Sequence, residues 1–78
     1  MRLEIITPET KVFEGEVKSV QLPGINGKFE ILNNHAPIIS TLIAGQIRIV
    51  NGDDQRELFN INGGVIEMQN NNIIVLAD

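Results

Sequence analysis

The chain has 78 residues, with six Lys and Arg, ten Asp and Glu, one His and no Cys, giving a formal net charge of −4. That length holds one domain, and a core this small is easier to sustain when a partner covers part of it. The lack of Cys excludes a disulfide framework, a thiolate metal site and a thiol nucleophile, which is compatible with a reducing cytosol; scattered cations in an acidic chain argue against nucleic acid, whose counterion release needs a basic stripe. Ile and Val outnumber Leu and Ala, and the aromatics are three Phe with no Trp or Tyr. β-Branched side chains are stiff at their first torsion and suit a pleated surface, so the composition predicts a nearly all-β domain. A stacking platform for single-stranded nucleic acid lacks the aromatics it would need.

The first predicted strand covers 2–7, with Leu3 and Ile5 on one face and Arg2, Glu4 and Ile6 on the other. Glu4 and Pro8 interrupt any apolar run there, so no signal peptide is expected. A long strand is expected over 12–22, but its inward phase changes: Phe13, Gly15 and Val17 share one parity, Val20 and Leu22 the other. A period-2 element that switches faces predicts a bulge or bend between Val17 and Val20. Further strands are expected over 29–32, 38–42, 46–50, 56–61, 65–69 and 72–76. The turn signals between them are Pro23-Gly24, Asn26-Gly27, Asn33-Asn34, Gly45, Asn51-Gly52, Asn62-Gly63-Gly64 and Asn70-Asn71-Asn72. The strongest local pattern is Ile47-x-Ile49-Val50, then Asn51-Gly52-Asp53-Asp54, then Leu58-Phe59-x-Ile61, an antiparallel hairpin. Residues 38–44 are apolar enough for a helical turn, but the Ile-Ile-Ser-Thr segment favours β, and no helix is expected anywhere. The apolar run from Ile73 to Ala77 is far short of the roughly 20 residues that span a bilayer. Short strands at this spacing read as a sandwich or barrel.

No catalytic set emerges. His35 is the single histidine, and general base, phosphocarrier or metal-ligand roles each need a carboxylate, a nucleophile or further ligands beside it. Its nearest acid in sequence is Glu30, so a histidine bonded to loop backbone, at an interface, is the better reading. Pro23-Gly24-Ile25-Asn26-Gly27 has the glycines of a phosphate cradle, but the strand-like Lys28-Phe29-Glu30-Ile31 follows where a helix would have to open. Glu14, Glu16, Asp53 and Asp54 read as solvated charges, since nothing marks a pocket that would shift one of them. A biotinyl or lipoyl carrier would present a Lys at a hairpin tip, and Glu67-Met68-Gln69-Asn70 offers none. No cofactor is expected.

Two longer stretches are more specific. Residues 22–42 run through Pro23-Gly24-Ile25-Asn26-Gly27 and His35-Ala36-Pro37 to Leu42, and residues 62–78 contain Asn62-Gly63-Gly64-Val65-Ile66-Glu67 and end in Val75-Leu76-Ala77-Asp78. With Thr7-Pro8-Glu9 and Gly45-Gln46-Ile47-Arg48-Ile49-Val50 in order between and before them, the whole chain resembles the epsilon subunit of ATP synthase. The resemblance implies an all-β fold, a β-sandwich of two antiparallel sheets with about eight to ten short strands. It also implies a non-catalytic role in the rotor's central stalk, on the cytoplasmic face of the membrane, linking the gamma subunit to the c-subunit ring. Carried over by position, the c-ring contact falls on Asn26, Gly27, Lys28 and Glu30, and the gamma contact on His35, Ala36, Pro37, Ile39 and Thr41. Two departures stand out. Many relatives carry an acid where Lys28 stands and a Gly where Glu30 stands, so either the acid has moved two residues or the ring partner differs. Relatives also continue into a two-helix hairpin where this chain stops at Asp78, so neither an inhibitory helix nor an ATP site is expected within these residues. A free-standing β-sandwich adaptor or ligand carrier is the alternative.

Overall fold

The structure, a computed structural model, describes Met1–Asp78 and contains strands only. The seven strands are β1 (Arg2–Ile6), β2 (Lys11–Glu16), β3 (Ser19–Gly24), β4 (Gly27–Leu32), β5 (Ile38–Val50), β6 (Arg56–Gln69) and β7 (Asn72–Ala77). They form one continuous hydrogen-bonded sheet in the order β2-β1-β7-β6-β5-β3-β4. Every neighbouring pair is antiparallel except β1 with β7, which run parallel.

This sheet becomes a sandwich by folding on itself across β5 and β6. One layer holds β2, β1, β7, the C-terminal half of β6 and the N-terminal half of β5. The other holds the remaining halves with β3 and β4. The closure is visible at residues 17 and 18: Val17 N–H donates to Met1 O at 2.8 Å beside the first layer, and Lys18 N–H donates to Val50 O at 2.7 Å at the end of the second. Between the layers lie sixteen buried apolar side chains, among them Leu3, Ile5, Val20, Leu22, Ile31, Ile47, Ile49, Ile66, Met68, Ile73 and Val75.

The expected sandwich is therefore present, with seven strands where about eight to ten were anticipated and with one parallel pair inside it. The segments expected as strands over 38–42 and 46–50 are the two halves of β5, and those over 56–61 and 65–69 are the two halves of β6. The hairpin around Asn51-Gly52 forms as expected, Ile47 opposite Phe59 and Ile49 opposite Glu57. Gly45 and Asn62-Gly63-Gly64 are bends inside strands rather than turns between them. Along both long strands the inward side chains change parity, from Leu42 to Ile47 on β5 and from Ile61 to Ile66 on β6. The pairing carries straight through: Ile43 faces Gly63 and Gly45 faces Ile61, with no inserted residue. Gly63 and Gly64 make this possible with φ of +136° and +151°, a region that other residues rarely enter. Gly64 is also hemmed in, because a Cβ there would stand 2.9 Å from Ala77 Cα and closer still to Leu76 O.

The strand expected over 12–22 is corrected. It breaks at Val17-Lys18 into β2 and β3, which lie near opposite ends of the sheet order. The phase change between Val17 and Val20 is thus a crossing from one layer to the other, not a bulge within a strand. Pro23 gives β3 its own irregularity. It has no N–H for the ladder, and the pairing with β5 slips between Gln21–Arg48 and Gly24–Leu42.

Candidate functional site

The residues singled out in the sequence lie in two places. Asn26 and Gly27 sit in the β3–β4 hairpin, whose strands pair up to Gly24 opposite Gly27. The hairpin is stiff for local reasons. Gly24 lets the Phe29 ring and Gly27 O approach to 2.8 and 2.7 Å of where a Cβ would stand. Ile25 N–H, at the tip, donates to Thr41 O at 3.3 Å and ties the finger to β5. The phosphate-cradle alternative ends here, since the glycines serve a strand-to-strand turn. Lys28 and Glu30 follow on the outward face of β4. Arg48, two strands away across Gln21, donates to Glu30 Oε2 at 2.7 Å. The Arg48 side chain is three-quarters covered, with 25% exposed, and its Nε has no acceptor. Lys28 makes no ion pair.

His35, Ala36 and Pro37 occupy the exposed loop between β4 and β5. The loop is fastened from several sides. His35 N–H donates to Leu32 O at 3.2 Å, and Asn34, in the left-handed region at φ 64°, donates its N–H to Asn71 Oδ1 at 2.8 Å. Asn33 Oδ1 accepts from the Met1 ammonium at 2.7 Å. His35 itself places Nδ1 2.7 Å from Ala36 O, and no acid lies in contact with it. The molecule holds no cluster of three or more His, Cys, Asp or Glu arranged to take a metal. The backbone-bonded loop histidine is what the geometry displays.

Ile39 and Thr41 project from β5 onto the outer face of the first layer, where the sheet registers assemble a larger surface. One row across this face reads Ile6, Leu76, Val65, Thr41; the next reads Glu4, Ile74, Glu67, Ile39. Ile39 is 73% exposed, and Ile43, Val65, Ile74 and Leu76 are exposed beside it. The face is thus an apolar strip with Glu4 and Glu67 set into it. A shallow, open depression of about 340 Å³, lined by Pro37, Ile38, Ile39, Glu67, Met68 and Gln69, joins the strip to the His35 loop. Sequence reasoning missed Ile43, Val65, Ile74 and Leu76. For Ile74 and Leu76 the signal was present in the unbroken run 73–77, which lacks the polar alternation of a strand with one wet face. The Arg48–Glu30 pair had no local signal, because the two residues are eighteen apart and meet only through β3.

The ion pairs at the other edge are structural. Glu14 on β2 is paired with Arg2 and with Lys11, whose Nζ stands 3.0 Å from Glu14 Oε1 and 3.4 Å from Glu4 Oε2. The hydrogen bond from Lys11 holds the Glu14 carboxyl below its ordinary value, and the hydrogen bonds to Glu14 and then Glu4 hold Lys11 above its own. Glu16 carries a pair with the Met1 ammonium at 3.3 Å, and Asp54 one with Lys18. None of these carboxylates lies in a pocket.

The two groups of candidate residues meet at Thr41, whose O accepts from Ile25 N–H at the finger tip, and open onto the outer faces of different layers. The finger is tied at Thr41, and the His35 loop at Asn71 and Met1; from Ile38 to Thr41 the strand rises only about 10 Å at roughly 3.3 Å per residue. The surface of the molecule carries exposed faces and only open, shallow depressions. The fold and surfaces define a β-sandwich subunit domain, and the match is to a family described as the β-sandwich domain of the ATP synthase delta/epsilon chain, over residues 1–78; the chain belongs to that family. Among its relatives are ATP synthase epsilon chains. That of Chlorobaculum tepidum is 40% identical over 97% of this chain and 86% of its own length. That of Chlorobium limicola is 39% identical over 99% and 88%. The epsilon chain of Dichelobacter nodosus is 40% identical over 95% of this chain, which spans only 52% of it. Among solved structures, a chain of the Euglena gracilis mitochondrial ATP synthase superposes with a TM-score of 0.90 at 14% identity, over 96% of this chain and 48% of that one. A chain of the Tetrahymena thermophila mitochondrial ATP synthase central stalk and c-ring gives 0.79 at 17%, over 99% and 62%. At those identities the superpositions speak to the fold.

Proposed function

We propose that this sandwich is a non-catalytic coupling piece of a rotary ATP synthase, a part of the central stalk that clamps gamma to the c-subunit ring. The observation that carries this reading is that one continuous sheet turns two outward surfaces to solvent, the apolar strip on one layer and the β3–β4 finger on the other. The apolar strip through Ile39, Val65, Ile74 and Leu76, with the His35-Ala36-Pro37 loop at its end, is the surface we assign to gamma. Exposed contiguous apolar surface on a small domain marks a protein interface, and a partner there would shelter side chains that water now meets. The β3–β4 finger, with Asn26, Gly27, Lys28 and Glu30, is the surface we assign to the ring. Membrane association is then indirect, on the cytoplasmic face where such a stalk stands.

A joint of this kind must not slip. Each charge crossing the membrane is worth about 2.3 kcal/mol per 100 mV, and that energy reaches the catalytic head only through stiff contacts. The continuous sheet meets this need, since load applied at the finger passes through Ile25–Thr41 into β5 and from there across the whole ladder. A ligand-carrier reading has less behind it: the two depressions on the surface are shallow, and both lie around Glu67 and Gln69 on the apolar face.

Mixing the purified chain with gamma and following the mixture by size-exclusion chromatography with light scattering tests the proposal. A one-to-one complex is expected, and its capture on the purified ring should need both proteins. A chain that ignores gamma would overturn the assignment.

A further inference from the structure

We infer that Lys28 is the charge with which the β3–β4 finger reads its partner, and that the partner surface there presents carboxylates. This inference rests on the ring-contact reading above and specifies its chemistry. The finger region holds Lys28, Glu30 and Arg48. Two of the three are already spoken for: Arg48 donates to Glu30 at 2.7 Å, and Arg48 is largely covered by the face it lies on. The pair is close to neutral from outside. Lys28 belongs to no ion pair and is exposed next to the tip. The finger therefore carries a surplus of one positive charge on a chain whose formal net charge is −4. Its rigidity matters equally. With Gly24 packed beneath Phe29 and Ile25 bonded to Thr41, the Lys28 backbone is presented in one place, so the cation acts at a defined position and not as a floating tail charge.

The alternative, that Glu30 substitutes for an acid two residues earlier, has less behind it on the same geometry, because Arg48 already neutralises that carboxylate. An anionic lipid surface is the poorer fit. Juxtamembrane binding gathers strength from several clustered cations, and the finger offers one, the other unpaired cation, Arg56, standing opposite Val50 at the far end of β5. A carboxylate-bearing loop of a protein partner needs only one well-placed cation, and rim charges of this kind set specificity and association rate.

The test uses the full chain in complex with gamma, measured against the detergent-purified ring from the same cells, at low salt and at high salt, for wild type, Lys28→Gln, Lys28→Glu, Glu30→Gln and Arg48→Gln. Ring affinity should follow the finger's charge. Lys28→Gln should weaken it about 2- to 5-fold and Lys28→Glu further, with both losses shrinking at high salt. Arg48→Gln, which frees Glu30, should weaken it too, and Glu30→Gln should bind at least as tightly as wild type. Unaltered gamma binding and circular dichroism show that each variant is folded. Lys28→Glu binding as well as wild type or better, or Glu30→Gln binding worse, overturns the inference. Binding to vesicles of anionic lipid that is lost in Lys28→Glu also overturns it, in favour of a lipid headgroup. Should the wild-type chain fail to join gamma at all, the coupling role falls and this inference with it. A chain that joins gamma and ring but ignores the charge at position 28 sinks this inference alone.

Discussion

Phe13 and Phe59 face each other with ring centroids 5.6 Å apart and planes tilted by 59°. Phe13 stands on β2, at the outer edge of the first layer, and Phe59 on the half of β6 that belongs to the second. No backbone hydrogen bond joins β2 to β6, so this aromatic pair closes one open side of the sandwich by packing alone. Tilted pairs at this spacing contribute about 0.5–1.5 kcal/mol beyond the area they cover. Because both rings are only half-buried, Phe59→Ala is expected to cost about 2 kcal/mol, below the roughly 3–5 kcal/mol of a fully buried ring. For a domain this small that is a fall of about 8–16 °C in the melting temperature. A double-mutant cycle with Phe13→Ala in urea should return a coupling within the pair's range; additive losses would mean that the rings do not seal the edge together.

Gly64→Ala should be among the most damaging single substitutions. The φ of +151° is strained for alanine, and the new methyl would meet Leu76 O and Ala77 Cα. The ladder between β6 and β7 would have to open at the point where β6 changes layers. A loss above about 2 kcal/mol is expected from urea midpoints, since backbone rather than a flexible side chain must give way. Gly52→Ala is the control, with nothing near its Cβ position and a φ outside the left-handed range, and should stay within about 0.5 kcal/mol.

The β1–β2 edge has a pH signature of definite sign. Glu14 titrates lower in the folded chain than in the unfolded one, because Lys11 and Arg2 favour its charged form. Its contribution is therefore present above the ordinary carboxylate range and fades as the pH falls through the depressed folded value. Lys11 titrates higher when folded, so its contribution is complete below the ordinary lysine value and fades as the pH rises through the elevated one. Both groups are exposed, so the effect is modest and should shrink in salt. Urea midpoints across the acid limb should fall less steeply in Glu14→Gln than in wild type; identical slopes would count against the pairing.

Ile39→Asp separates interface from fold. Ile39 is 73% exposed, so the isolated chain should lose no more than about 1–2 kcal/mol, the cost of a strand Asp standing opposite Glu67. A carboxylate in the middle of the proposed gamma surface should weaken that complex at least about 10-fold, the range of interface hot spots. Unchanged affinity would move the gamma contact off this face.

His35→Ala should leave the fold intact. The turn is held by the His35 backbone N–H and by Asn33 and Asn34, and the ring contributes only its contact with Ala36 O. Assembly with gamma should weaken about 2- to 5-fold at most. A collapse of the complex would give the imidazole a larger part than its surroundings suggest.

What the residues determined alone was strand content and most of the facing. Composition favoured strands throughout, alternation put Leu3 with Ile5, Ile47 with Ile49 and Phe59 with Ile61 on common faces, which the fold turns inward, and Asn51-Gly52 marked its hairpin. Those are local properties, set by β-branching, by the two-residue repeat and by the φ freedom of glycine and asparagine. Gly45 and Gly63-Gly64 show where locality stops. A glycine that ends a strand and one that bends it look alike in sequence, and the difference lies in whether the partner strand bends at the same level, which only pairing decides. The break at Val17-Lys18 is of the same kind, since Met1 and Val50, 49 positions apart, must both be in place before residues 17 and 18 have anywhere to donate. The outer apolar strip and the Arg48–Glu30 pair likewise exist only once separate strands are laid in register, because each is built from residues that have no relation to one another until the sheet forms.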